Sequence, residues 1–305
     1  MVKREHYIPR FYLNRFAENE IISAYNFQTK QLFEVNTKNI GCKNYFYDID
    51  PKELSEELEL YKKIFNISED DFNDRMGDKQ FLEKTFSRLE SKTASYFNKF
   101  ENDYSLISDN DFLSTLYLFM KTLSVRTLNY RKGLENISIQ TAEWLKSLNA
   151  KNVINYPLDK SPEQISKINQ LKEIISLPRL YKKSISFFEN YEIFVGVNNT
   201  GFDFLISDNP LMHFSMGFND ICFPINPKLS IIMQVKNVDK EFKVCDLKFD
   251  ENKICYLNEK EVLKYNILQC NSSAMYLFGK KKMIEAQLMF IEYIESKKNN
   301  GGKNG

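Results

Sequence analysis

Two rhythms of apolar residues divide this chain. From Phe81 onward, Leu82, Phe86, Leu89, Thr93, Phe97 and Phe100 return every three or four positions, the spacing of one helix face. From Tyr191 onward, Ile193, Val195 and Val197 alternate, the spacing of a strand with one buried side. Strand-like spacing also precedes the helical block, where Ile21, Ile22, Ala24, Tyr25 and Phe27 run to Gln28-Thr29-Lys30 and Leu32, Phe33 and Val35 return. Strands, then helices, then strands point to an α+β fold. In it the N-terminal and C-terminal hairpins join a mixed or antiparallel sheet around a central helical block.

Several element boundaries are legible. Asp50-Pro51 fits an N-cap with proline at the first helical position. Ser108 with Asp111 resembles a capping box for a helix whose stripe, Phe112, Leu116, Phe119, Met120 and Leu123, extends to about Lys132. A further helix is expected over 135–149 with the one tryptophan, Trp144. Ser161-Pro162-Glu163-Gln164 opens another, which Pro178 ends. Tyr191–Val197, the turn Asn198-Asn199-Thr200-Gly201 and Phe202–Ile206 read as a hairpin. Strands are expected at 219–223, 229–236, 243–249 and 274–278, and helices over 258–271 and 282–297. No flexible linker separates these pieces, so the expectation is one domain over 1–298 and a disordered tail over 299–305.

The 25 Phe and 17 Tyr predict a wide, ring-rich core. With 42 basic and 41 acidic residues the net charge is +1, so no overall field draws the chain to phosphate backbones, although a local basic groove stays open. The five cysteines are odd in number and show no C-x-x-C pair, which suggests reduced thiols. No apolar leader or membrane-spanning run is visible. A cytoplasmic location without membrane partners is therefore expected.

Polar groups concentrate in two places. Glu5-His6-Tyr7-Ile8-Pro9-Arg10-Phe11-Tyr12-Leu13-Asn14-Arg15-Phe16 holds one of the two histidines. His6 is a candidate general base, and Arg10 and Arg15 are candidates for holding an acidic substrate. The bland reading is a half-buried histidine that anchors the chain end. Ser207-Asp208-Asn209-Pro210 lies where a predicted strand runs out. Asp208 could bind Mg²⁺ or act as a base there, or simply make a turn. His213 follows in an apolar setting that favours core packing. A strand-end Asp followed by Glu241-Phe242-Lys243 suggests a nuclease, but Glu90/Lys92, Glu251/Lys253 and Glu295/Lys297 share that spacing, so the pattern is cheap. Phosphate loops, serine elbows and zinc motifs are missing. Any metal would then sit on carboxylates, as Mg²⁺ or Mn²⁺ does.

The run H-Y-I-P-R-F-Y-L-N-R-F and the later F-L-I-S-D-N-P resemble domain of unknown function 4238, a mainly bacterial family. Asn44-Tyr45-Phe46-Tyr47, Leu89-Glu90, Leu123-Ser124-Val125-Arg126-Thr127 and Phe223-Pro224-Ile225-Asn226-Pro227 extend the likeness over most of residues 5–280. The resemblance implies that His6, Glu90, Arg126, Asp208 and Asn209 gather in one place. In that arrangement His6, Arg126 and Asp208 are the catalytic candidates, Asn209 joins Arg10 and Arg15 in binding substrate, and Asp208 and Glu90 hold the metal. Two readings follow. One is a metal-dependent, nuclease-like hydrolase of nucleic acid or nucleotide, a toxin or phage-defence effector. The other is a non-catalytic module for an anionic ligand or partner protein. A purely structural network would use the same residues.

Overall fold

A computed structural model describes residues 4–65, 68, 81–147, 160–177, 184–211, 220–237, 239 and 243–301. The fold is α+β, as the change of rhythm predicts. It forms two compact units, each assembled from separate stretches of chain. The first comprises Met1–Tyr7, Cys42–Thr93 and Ser114–Ser184, the second Ile8–Gly41, Ala94–Leu113 and Ile185–Gly305.

In the first unit, β1 (Arg4–His6) pairs antiparallel with β4 (Cys42–Asn44). Asp50 does cap the turn after it, accepting from the Lys52 N–H, and α2 (Ser55–Phe65) follows. Leu82 and Phe86, on the early turns of α3 (Phe81–Phe100), are buried. The next helical stretch is two helices, α4 (Asn110–Val125) and α5 (Leu128–Ser147), and not one that runs to Lys132 and a separate one from 135. Thr127 makes the break, because its hydroxyl accepts from the Tyr130 N–H. The Gln170 amide, from α6 (Pro162–Ser176), donates to the carbonyls of Val125 at 2.7 Å and Thr127 at 3.0 Å. The first is a carbonyl that a helix end leaves open, and the second also accepts from the Arg131 N–H at 3.3 Å. The helix start expected at Ser161 is a capping box with Gln164.

The second unit holds α1 (Arg10–Asn14), the short helix α7 (Ser184–Phe188) and two four-stranded sheets. One sheet has the order β3-β2-β10-β6. Here the expected first hairpin, β2 (Ile21–Asn26) and β3 (Gln31–Asn36), meets β10 (Tyr276–Gly279) and β6 (Ile206–Ser207). The other has the order β7-β8-β5-β9: β7 (Ile221–Asn226), β8 (Leu229–Val235), β5 (Tyr191–Asn198) and β9 (Ile254–Leu257). The hairpin expected over 191–206 does not form. Its turn exists, with Asn198 Oδ1 accepting from Thr200, but β5 pairs with β8 and β9 while β6 joins the other sheet. Phe204, Leu205 and Ile206 are all buried in succession, so that stretch has no solvent face to alternate with. The strand expected over 243–249 is also missing: the Val244 N–H donates to the Asp220 carboxylate, outside any ladder.

The helix start predicted at Ser108 belongs to Asp109, whose Oδ1 accepts from the Phe112 N–H at 2.7 Å. Asn258 and Glu261 form the second capping box and open α8 (Glu259–Ser272). The last helix, α9 (Lys281–Gly301), continues three residues into the stretch expected as a disordered tail. Residues 302–305 lie outside the described residues, as does His213.

Gly196 sits inside β5 where no side chain fits. A Cβ there would overlap Ser230 Oγ and come within 2.7 Å of Ile232 Cδ1. Gly196→Ala is expected to cost about 1–3 kcal/mol by urea unfolding, since the buried β8 side chains have nowhere to retreat.

Candidate functional site

The polar cluster of the first unit is built around Arg126, which is 1% exposed. Its Nη1 donates to Glu90 Oε1 at 2.7 Å, its Nε to the Tyr47 hydroxyl at 3.1 Å, and its Nη2 to the His6 carbonyl. The guanidinium lies over the Phe86 ring, 4.2 Å from its centroid. Burial works against its charge, but Tyr47 and Glu90 outweigh burial and hold its pKa above the ordinary value. Arg131 repeats the pattern: Nε donates to Gln170, Nη2 to the Phe46 carbonyl, and the group lies 3.6 Å from the Phe46 centroid. Phe46 and Tyr47 are thus aromatic walls of two buried cations.

β1 alternates, and this places Glu5, not His6, on the inner side. Glu5 is fully buried, while His6 is half-buried. Glu5 Oε2 accepts from the Tyr47 N–H at 2.6 Å, but Glu5 Oε1 and Asp48 Oδ1 are both buried without a hydrogen-bond partner. The two carboxyl groups lie within hydrogen-bonding reach of each other. A proton held by Glu5 would link the two orphan oxygens. Burial is the main cause that pushes Glu5 up to about 7, opposed by the Tyr47 N–H and reinforced by Asp48 and Glu83. Glu83 is also raised by burial and keeps one buried oxygen, Oε2, without a partner. Among the described residues, no three His, Cys, Asp or Glu side chains are placed to hold a metal ion.

In the second unit the opening motif is an anchor. The Tyr12 hydroxyl donates to the Pro224 carbonyl at 2.7 Å, and its ring stacks on Phe223 at 5.4 Å. Arg15 donates to the Ile225 carbonyl at 2.9 Å, to Asn98 and to Glu101. Arg10 forms a surface pair with Glu20 at 2.6 Å. The segment around Asp208 is strapped to α8. Asn266 accepts from the Leu205 N–H, Gln269 from Ser207, and the Ser272 carbonyl from the Asn209 side chain. Helix positions three apart thus meet extended-chain positions two apart. Asp208 is 1% exposed: its Oδ1 accepts from the Ala274 N–H at 2.8 Å and from Ser273, and Oδ2 has no partner. Burial raises its pKa, against backbone donors that lower it.

The N-terminal run and the Phe-Pro-Ile-Asn-Pro segment, distant in sequence, therefore lock together through Tyr12 and Arg15. A model of the family described as protein of unknown function (DUF4238) matches residues 4–283. The chain belongs to that family. Among curated proteins and among solved structures, nothing matches it.

Of the site candidates read from the sequence, His6, Glu90 and Arg126 meet in the first unit, His6 through its carbonyl. Asp208, Asn209, Arg10 and Arg15 belong to the second. Glu5, Asp48 and Glu83 were missed by sequence reasoning. The only signal was that Glu5 precedes His6 inside the distinctive run. None of the five cysteines is in a disulfide, and burial pushes Cys245 and Cys270 up to about 12 and Cys255 to about 11, so these three are poor nucleophiles near neutral pH. Among the described residues no helix is long and apolar enough to cross a membrane.

Proposed function

We propose that this chain is a hydrolase of anionic bonds, of the phosphodiester kind found in nucleic acids and nucleotides, with Glu5 and Asp48 as its proton-transfer pair. The observation that carries the reading is the pair itself: two neighbouring carboxyl groups, each with a buried oxygen that has no partner, of which Glu5 is pushed up to about 7. Asp48 is half-buried, so the member of the pair that faces outward is the one to meet a substrate. In the reaction a water oxygen bonds to phosphorus as the P–O bond to the leaving group breaks. The carboxylate takes the water's proton, and the shared proton goes to the departing oxygen. Arg126 acts by position, holding Glu90, Tyr47 and the His6 carbonyl in place. Mg²⁺ or Mn²⁺ belongs to the proposal as an added reagent. The biological role that fits such chemistry is that of a toxin or phage-defence effector.

The test incubates the purified chain with labelled RNA, single- and double-stranded DNA and bis(p-nitrophenyl) phosphate, from pH 5 to 9, with Mg²⁺, Mn²⁺ or a chelator. Cleavage is expected, with a limb of the pH profile near 7 that is lost in Asp48→Asn. That variant is expected to lower kcat at least about 100-fold. Its amide can still donate to Glu5, so the melting temperature should hold. Absence of cleavage throughout, or full activity in Asp48→Asn, overturns the proposal. One observation favours the second reading, a non-catalytic module for an anionic ligand or partner. The donors of Arg126 are already engaged inside the protein, which leaves that cation little to offer a transition state.

A further inference from the structure

We propose that a cavity in the second unit, beside the first residues of β5, is a binding site for a nucleoside monophosphate. The cavity has a volume of about 460 Å³. Sites for small ligands span roughly 300–1,000 Å³ and are mostly apolar, with a few polar groups that set orientation. This one fits that description. Phe188 and Tyr191 form buried walls, and Phe249 forms an open one. Phe249 is 41% exposed although one face of its ring is already stacked on Phe194, at 5.1 Å and 19°. The outward part of that ring is apolar surface that a second flat ring would cover.

The polar groups are of a kind that suits a phosphate and a sugar. Lys236 and Lys253 line the same cavity, and among the described residues neither forms an ion pair. The Lys236 ammonium donates to the Glu189 carbonyl at 2.8 Å, and that of Lys253 to Ser108 Oγ at 3.4 Å, so each has further donors to give. Glu189 and Glu192, also on the lining, supply acceptors for sugar hydroxyls or a ring amino group. An inorganic anion alone would leave the aromatic walls uncovered, and a purely apolar ligand would leave two ammonium groups unmatched. A base joined to a phosphate satisfies both. A second cavity, of about 620 Å³, is a weaker candidate: Phe16 is the one aromatic residue on its lining, and Lys280 already pairs with Glu18 at 3.3 Å.

The site uses none of the residues of the Glu5–Asp48 pair, so its test is binding and not turnover. Isothermal titration of the full chain with AMP, GMP, CMP and UMP is expected to show saturable binding below about 1 mM for at least one of them. Adenosine and inorganic phosphate should each bind at least about tenfold more weakly than AMP if the two halves of the site act together. Phe249→Ala is expected to weaken binding about tenfold through lost stacking. The double variant Lys236→Ala/Lys253→Ala changes exposed positions, keeps the core, and should weaken binding about as much while removing most of its salt dependence. No saturable binding of any of the four nucleotides, or binding unchanged in both variants, overturns the proposal.

Discussion

Arg126→Met is expected to lower the unfolding free energy by about 3–5 kcal/mol in urea, the largest effect of any single substitution outside a catalytic assay. The loss does not come from forfeiting a favourable ion pair, because burying two charges costs nearly what their attraction returns. It comes from what the substitution strands. Glu90 loses the donor to its Oε1, the Tyr47 hydroxyl loses its bond from Nε, and the His6 carbonyl loses the bond that Nη2 provides. Methionine fills the space over Phe86 but donates nothing. Arg126→Lys should recover only part of the loss, since one ammonium on a flexible stem cannot reach three acceptors as a planar fork does. A loss below about 1 kcal/mol in Arg126→Met would show that this network does not hold the first unit together.

Glu5→Gln should produce the second large effect, and its sign depends on pH. Glu5 is raised from 4.5 to about 7 in the folded chain, so the native state keeps a proton that the unfolded chain releases. The stability this confers is complete below pH 4.5 and is lost as pH climbs through 7. At 1.36 kcal/mol per unit the bound is about 3 kcal/mol, and screening around the half-buried Asp48 reduces it to roughly 2. Glutamine keeps the acceptor for the Tyr47 N–H and always donates toward Asp48, as the shared proton does. The difference in stability between Glu5→Gln and the parent should therefore move in the variant's favour by roughly 2 kcal/mol between pH 4.5 and 8. Urea unfolding of both proteins across that range measures it, and acid effects on other carboxylates cancel in the difference. A flat difference would mean that Glu5 is ionised at neutral pH and that the proton-transfer pair does not exist.

The same carboxyl pair shows where reading the chain by itself stops. His6 drew attention because imidazole titrates near neutral pH in any setting. Glu5 titrates there only because β1 turns it inward beside Asp48, and nothing in the neighbouring residues announces that. Asp208 is a site candidate on local grounds, and the groups around it, the N–H of Ala274 and the strap of α8, come from distant segments. Arg10 and Arg15 were legible as cations, but their partners, Glu20 for one and Ile225, Asn98 and Glu101 for the other, lie elsewhere in the chain.

What depends on adjacent residues was settled by the sequence alone. The helical stripe of residues 81–100, the capping boxes at Ser161 and Asn258, the hairpin of β2 and β3, and membership of a family spanning residues 4–283 were all legible there. Helix caps and two-residue alternation are local free-energy preferences, set within a few residues. Strand partners are not. Only tertiary structure sent β6 to β10 and laid β9 parallel to β5, because the burial of Phe204, Leu205 and Ile206 depends on surfaces that distant segments bring. It also decided that Glu5 holds a proton near neutral pH, since the energy of a charge follows its distance from water and from other charges in space.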